Sequence, residues 1–231
     1  MDFKRYLAGI ALAASVPLSA SAAIVTLDGD YFDVSYDDAL VGLFGTPMIV
    51  GDSIKWFPSG SPGFTAKTTT SDTTIITNST FALTITADAG WTLTGGSLWE
   101  AGDYLVFGGG SVVAATGQLR MTPLDPSGST MIDPITASNA FVPATFPNLA
   151  TTNWEATAGV TLDDAANSAN VSIQNILVAY AGGDAGPKGA FIEKKEVVLT
   201  VGVAPIPEPA TWATMATGAI LLGFALRRSR A

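Results

Sequence analysis

Neither cysteine nor histidine occurs among the 231 residues. Without cysteine there is no disulfide framework, even for a chain that leaves the cytoplasm. Without histidine there is no Ser-His-Asp triad and no zinc or iron site built on imidazole. Basic residues are scarce as well: 11 Lys and Arg stand against 20 Asp and Glu, a net charge of −9. Within residues 23–204 the imbalance is larger. Asp2 and Glu208 fall outside that range, as do Lys4, Arg5, Arg227, Arg228 and Arg230, which leaves 18 acidic residues, 6 basic ones and a formal charge of −12. A surface this acidic repels nucleic acid, whose binding rests on Lys and Arg against phosphate. It suits solubility, calcium, or a polysaccharide that is neutral or bridged by cations. Chemistry based on Asp and Glu is what the absences leave open.

Long apolar runs are confined to the two ends. Residues 1–22 read as a secretory signal peptide. Lys4 and Arg5 form the positive region and residues 7–16 the apolar one, too short to span a bilayer. Ala20-Ser21-Ala22 supplies the small-x-small pattern, so cleavage falls between Ala22 and Ala23, or one residue later with Ser21 and Ala23 as the small pair.

The other end has three parts in order: Pro207-Glu208-Pro209, an apolar span over 210–226, and Arg227, Arg228 and Arg230 in the tail 227–231. Pro205, Pro207 and Pro209 fix φ and push their predecessors toward extended conformations, which gives a stiff peptide that a processing enzyme can grip. The 17 residues of the span, Thr211, Thr214 and Thr217 among them, reach about 25 Å as a helix, against a hydrocarbon core of about 30 Å. Trp212 lies near the outer end, and the arginines stop transfer and stay cytoplasmic. A plain single-pass anchor accounts for the span and the arginines, but not for the Pro-Glu-Pro before them. The tripartite order resembles the PEP-CTERM sorting signal, which exosortases process in Gram-negative bacteria. The resemblance implies an exosortase as partner and a temporary anchor in the inner membrane. It further implies a final place at the cell surface or in an extracellular matrix, in association with extracellular polysaccharide.

Between the ends, residues 23–204 form one exported domain with 202–209 as its linker to the membrane. Short apolar alternations split by turn residues predict an all-β fold, a single sandwich or jelly roll. Phe32, Val34 and Tyr36 alternate with polar residues, and so do Phe81, Leu83 and Ile85. Further strands are predicted over 104–107, 118–121, 153–160, 170–180 and 197–201. In the 170–180 run Val171 and Ile173 share one parity, whereas Ile176, Val178 and Tyr180 share the other, so a β-bulge is expected near Gln174-Asn175. Residues 162–169 are a weak helical candidate. Residues 122–149 hold five of the 13 prolines and read as a long loop. Gly108-Gly109-Gly110 matches no phosphate-binding motif and reads as a turn.

Three groups of residues could carry chemistry. Asp28, Asp30 and Asp33 present alternating carboxylates of the kind calcium takes, without the closing glutamate of an EF-hand; the plainer reading is a turn and a solvated strand face. Glu100, Asp103 and Glu155 are candidate acid and base partners for glycoside hydrolysis, or else turn carboxylates. Glu193 and Glu196 beside Lys194 and Lys195 read as a surface charge cluster. Among the tryptophans, Trp56 runs into a turn and is the candidate platform for stacking on a sugar ring, with core packing as the alternative. Because the resemblance implies a place at the cell surface, the domain is expected to be a non-enzymatic surface or matrix protein. The alternatives are a carbohydrate-binding module, marked by an exposed co-planar aromatic pair, and a glycan-active enzyme, marked by two facing carboxylates in a cleft.

Overall fold

The computed structural model describes residues 23–58, 63–145, 147–207 and 217. The predicted signal peptide, Glu208 and Pro209 of the predicted processing motif, the apolar span over 210–226 apart from Thr217, and the three arginines lie outside the described residues. Twelve strands run in chain order among the described residues: β1 (Ile24–Asp28), β2 (Phe32–Asp37), β3 (Met48–Val50), β4 (Ser53–Trp56), β5 (Phe64–Thr68), β6 (Thr73–Ala87), β7 (Trp91–Phe107), β8 (Val112–Asp125), β9 (Met131–Ala137), β10 (Thr152–Ala166), β11 (Ser168–Ala181) and β12 (Gly189–Pro205). All their pairings are antiparallel. One sheet has the order β1-β2-β6-β11-β8-β9; the other runs β10-β7-β12-β4-β3, with β5 also on β12. β9 pairs with both β8 and β10 and joins the two. The result is the all-β, sandwich-like fold that the alternation predicts.

The inward rows of the two sheets form one apolar core. Phe32, Val34 and Tyr36 face inward, as do Phe81, Leu83 and Ile85. Burying these rows is the main favourable term, at roughly 25 cal/mol per Å² of apolar surface. Phe44 sits at the centre of an aromatic group, with ring centroids 6.2 Å from Trp56, 5.7 Å from Phe64 and 5.8 Å from Phe81.

Several expectations are corrected. Residues 162–169 are not helical; they end β10 and begin β11. The tract 122–149 is not one loop, because β8 runs to Asp125 and β9 takes Met131–Ala137. Its remainder is tied down: Val142 N–H donates to the Tyr104 hydroxyl at 3.0 Å, and Ala144 N–H to the Val106 carbonyl at 2.7 Å. Residues 202–205 are not linker but the end of β12, with Ala204 opposite Thr92 and Pro205 opposite Trp91. Ile206 N–H donates to the Gly90 carbonyl at 2.8 Å, so ordered pairing reaches the residue before Pro207.

The phase change in β11 has a different cause from the one expected. β11 pairs with β6 without interruption from Ser168 to Ala181, and no bulge occurs at Gln174-Asn175. Val171, Ile173, Asn175, Leu177 and Ala179 all point inward. The apolar pattern appears broken only because a polar residue, Asn175, holds a core position. The bulge lies instead in β12, where the pairing with β7 steps from Lys194–Gly102 to Glu196–Ala101 and leaves Lys195 over. One extra residue reverses the facing of everything beyond it. Ala190, Ile192 and Lys194 therefore point inward before the bulge, and Val197, Leu199 and Val201 after it.

Candidate functional site

Three polar side chains, each set in an apolar row, meet inside the sandwich. β7 contributes Glu100 between Leu98 and Gly102, and β12 contributes Lys194 just before its bulge. From the facing sheet, β11 contributes Asn175. Relative exposures are 0% for Glu100, 1% for Lys194 and 1% for Asn175, so water is excluded. Lys194 Nζ donates to Glu100 Oε2 and to Asn175 Oδ1. Asn175 Nδ2 donates to Glu100 Oε1 at 2.6 Å. The three side chains close a ring of contacts in which the carboxylate touches both nitrogens.

Aromatic rings wall the ring of contacts. Lys194 Nζ lies 5.4 Å from the Phe64 centroid and 5.6 Å from that of Trp154. Such faces attract a cation. Trp154 is fixed by its indole N–H, which donates to the Glu193 carbonyl at 3.0 Å. Phe141 packs edge-on against both Tyr104 and Trp154, so the segment after β9 seals this end of the core. Gly102 permits the close approach: a Cβ there would stand 1.8 Å from the Glu193 carbonyl oxygen and 2.8 Å from Trp154 Nε1.

Burial pushes the Lys194 amine down to about 8, against the opposing pull of the Glu100 charge and hydrogen bond. An ion pair in such a place has a large desolvation cost, offset only by close and complete hydrogen bonding. The neutral amine is accordingly within reach, and a neutral amine is a nucleophile.

The structure distributes the predicted site residues differently from the sequence reading. Lys194 does not belong to a surface charge cluster; only its neighbours do. Lys195 pairs with Asp103 and, at 3.2 Å, with Glu193, and Lys55 lies 3.8 Å from Glu196. Glu100 lies in mid-strand, not in a turn, and points inward, whereas Asp103 is engaged by Lys195 and Glu155 is exposed. The three carboxylates therefore do not face one another across a cleft. Trp56 is fully buried in the aromatic group and offers no face to a sugar; its Nε1 is buried without a hydrogen-bond partner. Asp28 and Asp33 are cross-strand neighbours on β1 and β2, with Asp30 in the turn between. Among the described residues no three carboxylates are grouped to hold a metal ion. Gly108-Gly109-Gly110 is a turn, closed by Ser111 N–H to the Gly108 carbonyl at 3.3 Å.

Among the described residues, the depressions on the outer faces include two larger ones. One, of about 450 Å³, sets Ser35, Thr84, Arg120 and Asn170 beside apolar residues that include Ile24 and Leu40. The other, of about 610 Å³, brings Phe107 and Phe191 together with Lys67 and Thr68. The Tyr31 and Trp91 rings lie 4.6 Å apart but are tilted by 56°, so they do not form a co-planar pair.

From the last residue of β12 onward, residues 205–230 match the PEP-CTERM protein-sorting motif. The chain carries an exosortase sorting signal. The PEP-CTERM motif indicates an exported protein, anchored through its C-terminal segment before an exosortase separates it. No curated protein matches the sequence. Among solved structures, the chain is similar to one described as "Structural basis for the promiscuous specificity of the carbohydrate-binding modules from the beta-sandwich super family", with 8% identity over 80% of this chain and 87% of that one and a TM-score of 0.19. A second is described as "Structure of infectious bursal disease virus Gt strain", with 14% identity over 77% of this chain and 53% of that one and a TM-score of 0.16. Likenesses of that size carry no functional argument.

Proposed function

We propose that the PEP-CTERM chain is a non-enzymatic component of the cell surface or extracellular matrix of a Gram-negative bacterium, associated with exopolysaccharide. The observation that carries the proposal is the sorting motif, which follows directly on the last strand of an all-β domain. In this reading the signal peptide is removed at Ala22-Ala23. Ala23 already exchanges hydrogen bonds with Asp38, through its N–H at 3.0 Å and its carbonyl at 3.1 Å, so the new amino terminus would meet a carboxylate. The span over 210–226 then holds the domain at the inner membrane, with Arg227, Arg228 and Arg230 inside. An exosortase separates the domain at or near Pro207-Glu208-Pro209.

Substituting Glu208 by Ala tests the processing step. The span is untouched, so insertion persists, and the variant should accumulate as a longer, membrane-bound form in a host that has an exosortase. A blot with an antibody against the domain separates the two forms by size and fraction. If wild type and variant both stay full-length in the membrane, the tail is a plain anchor.

A second reading, carbohydrate binding, is favoured by the depression that holds Phe107 and Phe191, because apolar rings beside hydroxyls are what a sugar ring packs on. A glycan array on the mature protein, repeated with Phe191→Ala, tests it. Binding lost in the variant supports the reading, and an array with no signal for wild type removes it.

A further inference from the structure

We propose that the folded protein joins Lys194 to Asn175 by an intramolecular isopeptide bond between Nζ and Cγ, with Glu100 as the acid–base catalyst. Three observations converge on it. The nucleophile, the amide and a carboxylate are in mutual contact, drawn from three strands and both sheets. The two carboxylate oxygens are divided between the two nitrogens that must exchange protons: Oε2 on the attacking Nζ, Oε1 on the departing Nδ2. Water, which would compete for the amide carbon, is excluded by Phe64 and Trp154. Here Asn175 turns its carbonyl oxygen to the amine and its nitrogen to the carboxylate, the orientation that the reaction uses.

The step balances without any co-reactant. Glu100 Oε2 takes one proton from the Lys194 ammonium, and the freed electron pair on Nζ attacks Cγ of Asn175. A tetrahedral centre forms, with the negative charge on Oδ1. The Nζ–Cγ bond is made and the Cγ–Nδ2 bond breaks. Two protons pass from Nζ through Glu100 to the departing nitrogen. That nitrogen leaves as ammonium with its own two protons and the two delivered, while one proton stays on the new amide and Glu100 ends ionised. The low-lying Lys194 amine favours the first transfer. Holding the groups together in the fold replaces a bimolecular encounter, which is how a slow amide exchange becomes feasible. The event happens once per molecule and is self-modification.

Intact-mass measurement of the mature protein from the envelope fraction decides the matter. Expected is a mass about 17 Da below that of the sequence between its measured termini, the loss of one ammonia. A tryptic digest should join the peptide 189–195 to the peptide 121–188, because trypsin cannot cut after a blocked Lys194. Lys194→Met and Asn175→Ala should both show the full sequence mass and separate peptides. Glu100→Gln should retain the strand spectrum of the wild type and form the link at least a hundredfold more slowly. Wild-type protein that is folded, yet shows its full mass and two separate peptides, overturns the proposal whether or not the variants fold. So does a mass raised by about 1 Da, which marks deamidation of Asn175 instead.

Discussion

Asn175 and Glu100 come from opposite sheets and touch at 2.6 Å in the centre of the sandwich. They sit 75 residues apart in the chain, and no local pattern connects them. With Lys194 they form a buried polar cluster that draws on both sheets.

Lys194 makes stability depend on pH wherever it is left as a free amine. In Asn175→Ala the link cannot form, and burial, which pushes the Lys194 amine down from 10.5 to about 8 in the native sequence, still acts on it. Below about 8 the folded state carries a charge that the unfolded chain accommodates better. Between about 8 and 10.5 the unfolded chain binds the extra proton, so stability rises with pH across that window. The gain is at most about 3 kcal/mol. Urea unfolding from about pH 7 to about pH 10.5, measured against the Asn175→Ala/Lys194→Met double variant, isolates the term. A flat difference would mean that Lys194 titrates normally in the fold.

Lys195, the next residue, should behave oppositely. Its partners Asp103 and Glu193 lie at the surface and raise its pKa, and solvent screens both pairs. Lys195→Ala should leave the urea midpoint unchanged, whereas Lys194→Met should move it.

Gly102→Ala should destabilise the domain by about 1–3 kcal/mol or more, as overpacking does. The added methyl must displace the Glu193 carbonyl, which is itself the anchor of the Trp154 indole. Denaturation gives the loss, and Trp154 fluorescence reports whether the ring has left its place over Lys194.

Phe44→Ala should cost about 3–5 kcal/mol, the usual range for a large aromatic lost from a core. Phe44 is fully buried and contacts Trp56, Phe64 and Phe81 at once, although it lies outside any strand. Thermal unfolding should show the drop with the strand spectrum retained below the midpoint.

Processing should be limited by the end of β12. Ile206 is still hydrogen-bonded to Gly90, so Pro207 follows ordered structure with no slack. A short Gly-Ser insertion between Ile206 and Pro207 should speed conversion to the shorter form in a pulse-chase. An unchanged rate would show that the motif is already reachable.

Period-2 alternation made the class of the fold legible, because Phe32, Val34 and Tyr36 or Phe81, Leu83 and Ile85 can be sorted to one face by hydropathy alone. The tail was legible for a different reason: prolines, span and arginines are contiguous, so their order is itself the signal. The interior site was not legible, because its three members break the rule by which core positions are recognised. Asn175 suggested a bulge that is absent, and Lys194, flanked by Glu193 and Lys195, looked like surface. The available clue was parity: Asn175 continues the row of Val171 and Ile173, and Lys194 continues that of Ala190 and Ile192. Assigning Lys194 inward also needs the bulge at Lys195, which only the pairing with β7 reveals. The burial of Trp56 depended on contacts with Phe44 and Phe81, distant in sequence.

β12 is the strand through which the sorting tail is attached, and it lies between β7 on one side and β4 and β5 on the other. A pull on the tail runs along the axis of β12 and loads its hydrogen bonds in shear, all together, instead of peeling them one by one. Lys194 sits partway along that path, so a covalent tie from it to β11 would carry load from the tethered strand into the other sheet. Whatever drag the surroundings exert on the exposed domain while the tail still holds it would then be borne by a bond and not by strand pairing alone.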